Sequence, residues 1–329
     1  MIFKRLLLAA LAFAVLCASA GLWWVQRPLD MDTAPADLSI EPGTSMRGVA
    51  QAVTNAGVHV NPVLLTWCFR LSGQGRQIRA GSYEIEVGTT PWELLRKLVR
   101  GEEALRSLTL VEGWTFRQFR SALAKAERLV PETQILSDAQ VMERLGRPGL
   151  SAEGRFFPDT YNYAKGSGEL ALLRRALRAM DRQLAAAWAG RSQASPLKAP
   201  EQALILASII EKETGVASDR PLIAGVFSNR LARGMPLQTD PSVIYGLGAH
   251  FDGNLRRRDL LADTPWNTYT RVGLPPTPIA MPGRAALDAA ARPAPTQALY
   301  FVARADGSSA FSNTLEEHNR AVNKYQRGR

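Results

Sequence analysis

The sequence has little from which to build a covalent or metal-held framework. Its only cysteines are Cys17 and Cys68, which cannot make a disulfide network. Histidine is scarce as well: His59, His250 and His318 lie too far apart for any HExxH or zinc-ribbon spacing. With no local metal motif, chemistry free of metal and cofactor is the starting expectation. There is no second long apolar run, which excludes a multi-pass membrane protein. Like charges never run to five or six in a row, and the densest cluster, Arg256-Arg257-Arg258, is followed at once by Asp259. Internal repeats and low-complexity tracts are also missing.

What is present points to packed domains. Hydrophobic residues make up 46% of the 329, enough to offset the entropy of ordering and to exclude disorder as the main state. That length suggests about two domains. The 40 basic and 30 acidic side chains leave a net charge of +10. Such a surplus favours anionic partners, whether nucleic acid, lipid headgroups or acidic polymers, without choosing among them. Arg174, Arg178 and Arg182 recur at helical spacing and read as a solvated helix face.

The first segment sets the compartment. Lys4 and Arg5 precede a run from Leu6 to Val25 that carries no charge. At about 1.5 Å per residue such a helix is roughly 30 Å long, the thickness of a bilayer core. Trp23 and Trp24 stand at its far end, where interfacial aromatics belong. Two basic residues ahead of the run against Arg27 behind it favour a cytoplasmic N-terminus with the rest of the chain exported. Ala18-Ser19-Ala20 also matches a signal-peptidase site. Leu22 to Val25 continues the apolar run past that site, which favours an uncleaved anchor in the cytoplasmic (inner) membrane. Cys68 lies in the apolar helical run Leu64 to Phe69 and reads as a buried free thiol.

The expected fold class is α+β. Residues 1–26 form the anchor, and 27–36, with Pro28 and Pro35, form a linker. A small module follows over 37–102. It has a strand at Leu38–Ile40, a helix capped at Thr44 or Ser45, a helix opened by Asn61-Pro62, a strand-like stretch from Ile78 to Val87, and a helix from Pro91. A βααβ unit followed by a helix is the order of a LysM-type glycan-binding module, an order other small α+β modules share. The rest, 103–329, is a mostly helical α+β domain, with helices over 115–129, 168–190, 201–214, 219–232 and 314–325 and a strand over 299–302. Between Gly234 and Gly283 the chain is rich in Pro, Gly, Asn and Thr, and that stretch is too long for a passive loop. Function is expected there.

Chemistry is expected at the end of one helix. Leu204 to Ile210 is apolar on every face, as a core helix is, and Glu211-Lys212-Glu213 closes it. A carboxylate ending such a helix is costly to ionise and is a natural general acid near neutral pH. Glu211 shares a stripe with Leu204, Ser208 and Gly215, and Glu213 lies about 200° around the helix, so the two cannot act as a pair. The plainer reading has both glutamates simply ending a helix that emerges at the surface.

Six ordered motifs add to this reading. They are Glu153-Gly154-Arg155-Phe156-Phe157-Pro158-Asp159-Thr160-Tyr161; Leu206 to Thr214; Pro236 to Gly246; Asn267-Thr268-Tyr269 with Gly273-Leu274-Pro275-Pro276; Tyr300-Phe301-Val302-Ala303; and His318-Asn319. Together they resemble the YceG-like endolytic murein transglycosylases, from the anchor to the last helix. Trp266 stands where Tyr is expected in relatives, one aromatic for another. The resemblance implies a membrane-anchored lyase with its catalytic domain in the periplasm. Such an enzyme cuts peptidoglycan strands internally at the MurNAc–GlcNAc bond, leaves 1,6-anhydro ends, and thereby serves cell-wall biogenesis and strand-length control.

On that resemblance Glu211 is the catalytic acid, and Gln238, Asp240, Asn267, Tyr269 and Glu213 are candidates for holding sugar. Asp159 reads as a turn organiser and His318 as structural. No cofactor or metal is implied. The implied partners are peptidoglycan strands, the inner membrane and cell-wall synthases, and an exported body would not meet nucleic acid. Two rivals stay open: a tethered glycan-binding scaffold without activity, and an ordinary glycosidase using Asp240 as base or nucleophile.

Overall fold

A computed structural model of the chain describes residues 2–33 and 35–327. The chain divides into two compact units, one of residues 1–106 and 162–166, the other of 107–161 and 167–329. The first boundary falls at 106, where the sequence reading puts it at 102, and the return of 162–166 to the first unit has no counterpart in that reading.

The first unit begins with α1 (Ile2–Val25). Among the described residues α1 is the one helix long and apolar enough to cross a membrane, and none of its apolar window is buried by the protein. Within 27–36, the stretch read from sequence as a linker, two residues enter the core. Leu29 is buried and its N–H donates to the Thr89 carbonyl at 2.9 Å. Just after it, β1 (Asp30–Met31) pairs with β3 (Val58–His59). The prolines at 28 and 35 suggest loose chain, but the apolar residues beside them, Leu29 and Ala36, are drawn into the core, and the backbone finds partners there.

Strand β2 (Ala36–Ile40) runs antiparallel to β4 (Gly81–Ile85), with Leu38 opposite Tyr83. Ala36, Leu38 and Ile40 alternate into the core. Between the strands lie α2 (Met46–Asn55), capped by Ser45, and α3 (Pro62–Leu71), whose first N–H groups donate to the Asn61 side chain. After β4 comes α4 (Pro91–Arg100), opened by a Thr90/Glu93 capping box and closed by Gly101 at φ +69°. Val53, Leu65, Phe69, Tyr83 and Leu94 fill the shared core. The expected strand, two helices, strand and helix correspond to β2, α2, α3, β4 and α4, and the short pair β1 and β3, with β3 between the two helices, comes in addition. Both cysteines are free, and Cys68 is half-buried rather than buried, because α3 keeps one apolar face outside the core.

The ribbon of β5 (Leu105–Thr109) and β6 (Thr160–Ala164) carries the chain across the boundary in both directions. In the second unit, α5 (Phe116–Lys125), α6 (Asp138–Arg144) and α7 (Glu169–Ala189) lead to α8 (Pro200–Glu213). From Ala203 to Ile210 every residue of α8 is buried. It packs against α7, against α9 (Arg220–Ala232) and most heavily against α12 (Arg284–Ala291), whose small side chains at Ala286, Ala289 and Ala290 let the two helices approach closely. The stretch from 234 to 283 contains α10 (Asp240–Leu247) and α11 (Arg257–Leu261). The hairpin of β7 (Tyr300–Ala303) and β8 (Ser309–Ser312) and then α13 (Leu315–Gln326) complete the unit.

Candidate active site

The apolar faces of α8 drive it into the core, so its last turn is where it meets solvent. There Glu211 and Glu213 part company. Glu213 opens on a polar cleft of about 670 Å³, which it shares with Gln238, Asp240 and Tyr269 from the long segment and with Tyr300 and His318 from the C-terminal hairpin and helix. The Thr239 hydroxyl donates to its carboxylate. Burial pushes the Glu213 carboxyl up to about 7; the Asp240 charge adds to the shift, while the Thr239 hydrogen bond and Arg230 oppose it. Its place at the C-terminal end of a helix, where free carbonyls carry partial negative charge, works in the same direction.

Glu211 does not line that cleft. Its Oε2 accepts the Gly283 N–H at 2.9 Å. Burial raises its pKa and so does Glu112, against the Gly283 hydrogen bond, Arg220 and Lys212. Gln238, Asp240 and Tyr269, three of the residues expected to hold sugar, are gathered around the other glutamate.

The wall facing Glu213 is held rigidly. Gln238 sits at φ +53°, a left-handed backbone that side-chain-bearing residues rarely adopt. Its N–H donates to the Thr268 carbonyl at 3.0 Å, and its side-chain oxygen accepts from Arg230 at 3.2 Å. Arg230, 7% exposed, also donates to the Leu299 and Leu237 carbonyls at 2.7 and 2.9 Å, tying α9 to both walls of the cleft. Tyr269 donates its hydroxyl to Asp240 at 2.5 Å.

Asn267 is a different case. It is fully buried, its amide donates to the carbonyls of Leu260 and Ala262 at 3.1 and 2.7 Å, and its oxygen accepts the Tyr269 N–H. Its side chain is used up in shaping the segment that presents Tyr269, which leaves nothing for a sugar. Asp159 accepts the N–H of Thr160, a local turn contact. His318, read from sequence as structural, stacks on Tyr300 with centroids 5.3 Å apart and lines the cleft. Burial and Arg230 lower its pKa, and its Nδ1 is buried without a hydrogen-bond partner. Arg230 escaped the sequence reading because a basic residue inside a helix carries no signal of its own.

Another carboxylate, buried away from this cleft, stands apart. Glu153, 6% exposed, accepts the Phe116 N–H at 3.0 Å and the Tyr245 hydroxyl. Burial pushes it up to about 7, against those hydrogen bonds. Tyr245 packs edge-on against Trp266, whose indole N–H donates to Thr277 at 3.0 Å. These motif residues pin the start of α5 to α10. Among the described residues, no three of His, Cys, Asp or Glu cluster as a metal site would require.

Comparison with known proteins gives a consistent picture. The YceG-like family matches residues 38–324. An endolytic murein transglycosylase of Bacillus subtilis (strain 168) is 29% identical over 316 residues, covering 91% of this chain and 87% of that protein. One from Streptococcus pneumoniae (strain ATCC BAA-255 / R6) is 27% identical over 362 residues, covering 97% of this chain and 65% of that longer protein. A 2.6 Å crystal structure of a yceG-like protein from Listeria monocytogenes shares the fold, with a TM-score of 0.54 at 27% identity, over 87% of this chain and 98% of that one.

Proposed function

The chain belongs to the YceG-like family, and from that premise we propose that it is a membrane-tethered endolytic murein transglycosylase whose general acid is Glu213. The observation that carries the assignment is a carboxylic acid, raised to about 7, on the floor of a polar cleft that also holds Gln238, Asp240, Tyr269 and His318. The function is the one the sequence motifs imply. The acid is the second glutamate of Glu211-Lys212-Glu213 and not the first, because only Glu213 opens on the cleft.

In the proposed reaction protonated Glu213 gives its proton to the oxygen between MurNAc C1 and GlcNAc. The C1–O bond breaks, and GlcNAc leaves with a free hydroxyl. The Glu213 carboxylate then takes the proton of the MurNAc C6 hydroxyl as that oxygen attacks C1. A 1,6-anhydro ring closes, and the acid is regenerated. Since the nucleophile belongs to the substrate, neither water nor a second carboxylate takes part, unlike the usual two-carboxylate hydrolases. Asp240, engaged by Tyr269, supplies an acceptor for sugar hydroxyls and acetamides, and the stacked rings of Tyr300 and His318 line the cleft beside it. Cuts inside a strand would shorten it, which is the role in strand-length control.

Helix α1 serves in this reading as a single-pass anchor in the cytoplasmic membrane, with its N-terminus in the cytoplasm and both units outside. The small unit has the element order of a LysM-type module and is proposed to bind glycan. Digestion of purified peptidoglycan with mass spectrometry of the products tests the whole reading. Anhydro ends support it, reducing ends would make Asp240 a hydrolase base, and no cleavage would leave a scaffold. Loss of product in Glu211→Gln but not in Glu213→Gln would return the acid to Glu211.

A further inference from the structure

The small unit carries an apolar face that nothing within it covers. Helix α3 turns Leu65 and Phe69 into the core with no exposure, yet Leu64, Trp67 and Leu71 on its other side are 50%, 52% and 81% exposed. Trp92, in the first turn of α4, is exposed as well. These four side chains form one wall of an apolar groove of about 820 Å³, and the opposite wall is the C-terminal part of α1, from Cys17 to Val25. A second groove of about 390 Å³ continues the first, sharing Trp24 and Leu64, and is lined by polar groups that include Arg27, His59 and Asn61.

Moving along α1 from Cys17 towards Arg27, the surroundings therefore change from apolar to aromatic to charged. That is the gradient from acyl chains through the interface to headgroups. The aromatics carry their own cations: the Arg27 guanidinium lies 4.8 Å from the Trp23 ring centroid, and that of Arg70 lies 5.5 Å from the Trp67 ring centroid. Arginine on tryptophan suits an interface, where the ring stays in the apolar layer and the charge reaches the headgroups.

We propose that the exposed face of α3, with Trp92, is embedded in the leaflet that the C-terminal half of α1 enters, so that acyl chains fill the apolar groove and headgroups fill the polar one. The proposal rests on α1 being a membrane anchor. Granted that, the occupant follows from depth. Cys17 lies about 9 Å below Trp23 at 1.5 Å per residue, so the side chains of α3 beside it stand at the level of acyl chains. A depth of that size is what interfacial helices reach, roughly 5–10 Å. The small unit then lies in the membrane surface and does not hang from a flexible stalk.

The test uses the full chain in nanodiscs of phosphatidylethanolamine and phosphatidylglycerol. In a Cys17→Ala/Cys68→Ala background, single nitroxide labels are placed through Leu71→Cys, Gln51→Cys and Phe13→Cys, and their collisions with oxygen and with a water-soluble nickel chelate are measured. Leu71 and Gln51 are exposed, so neither substitution disturbs the core. The expected result is a label at 71 roughly 5–10 Å below the phosphates, a label at 13 in the hydrocarbon, and a label at 51 in water. A label at 71 in water while that at 13 stays in hydrocarbon overturns the embedding and leaves the anchor standing. If the label at 71 is shielded from both reagents, protein and not lipid covers the face, and the proposal also falls. Loss of the label at 13 from the isolated protein, or its exposure to nickel, removes the anchor and the embedding together.

Discussion

Glu211 and Glu213 are two residues apart on one helix, both are raised above the usual carboxylate range by burial, and their surroundings differ in kind. Glu211 faces the Gly283 backbone with Glu112 nearby and accepts a hydrogen bond from the main chain. Glu213 faces a cleft large enough for sugar, whose far wall is built by residues 25 to 105 positions later in the chain, from Gln238 to His318. A raised pKa therefore does not by itself mark an acid catalyst. Access to a cleft with polar groups opposite is what sets Glu213 apart.

The largest expected effect breaks that comparison directly. Glu213→Gln keeps the shape and the Thr239 hydrogen bond but removes the transferable proton. Anhydro-product formation should fall by about 10²–10⁴-fold while the circular dichroism spectrum and melting profile persist. Glu211→Gln should cost far less, through a weaker contact with Gly283. Equal losses in the two variants would mean that α8 needs both carboxylates merely to be placed.

The pH profile sharpens the same contrast. In the proposed reaction only protonated Glu213 can start the chemistry, and its carboxyl is raised to about 7. Activity should therefore hold below that value and fall by about tenfold per pH unit above it, as a single acid titrates. A falling limb governed by Glu211 would survive in Glu213→Gln with its midpoint unchanged, so residual activity of that variant, followed against pH, separates the two.

Glu153 provides the comparison in stability. It is raised like Glu213 but sits at 6% exposure against Phe116 and Tyr245, with no part in the cleft. Its folded-state pKa of about 7 exceeds the unfolded value of 4.5. The native state then binds the proton more tightly, and the stability this gives is complete below about 4.5 and lost as pH rises through about 7. The swing is roughly 3 kcal/mol. Denaturant unfolding of Glu153→Gln at pH 4.5 and 7.5 should show a drop smaller by that amount than in the unmutated chain.

Much of the fold was legible because the cues are local. Asn61-Pro62, Thr90 with Glu93, and Gly101 mark helix ends by capping chemistry, and the apolar run of α8 announces a core helix. By contrast α12 was missed. It is two turns of mostly alanine between prolines, and alanine adds little to an apolar period, yet this helix packs most heavily on α8. The site was half legible. Helical spacing puts Glu211 and Glu213 on different stripes of α8 and gives no means of knowing which stripe faces a cleft. Ser208, on the Glu211 stripe, is fully buried and accepts the Ile279 N–H at 3.0 Å, but every residue from Ala203 to Ile210 is buried, so what parts the two glutamates is the Gly283 contact at one and the cleft at the other. Asn267 likewise had the right chemistry for sugar and the wrong direction. Such facts belong to tertiary packing, which spacing does not encode.

The smallest expected effect concerns Gln238, where backbone and side chain can be separated. At φ +53° any residue with a Cβ is strained, by about 1 kcal/mol relative to glycine. Gln238→Ala keeps the strain and loses the side chain that Arg230 holds, whereas Gln238→Gly loses the side chain and relieves the strain. If the side chain touches substrate, both variants lose activity alike, and Gln238→Gly is the more stable by about 1 kcal/mol in denaturant unfolding. If the left-handed turn serves only to fix the position of Thr239 and through it Glu213, Gln238→Ala should stay close to full activity. The fall in its activity above about pH 7 should then keep the same midpoint, because the Thr239 hydroxyl would still reach the Glu213 carboxylate.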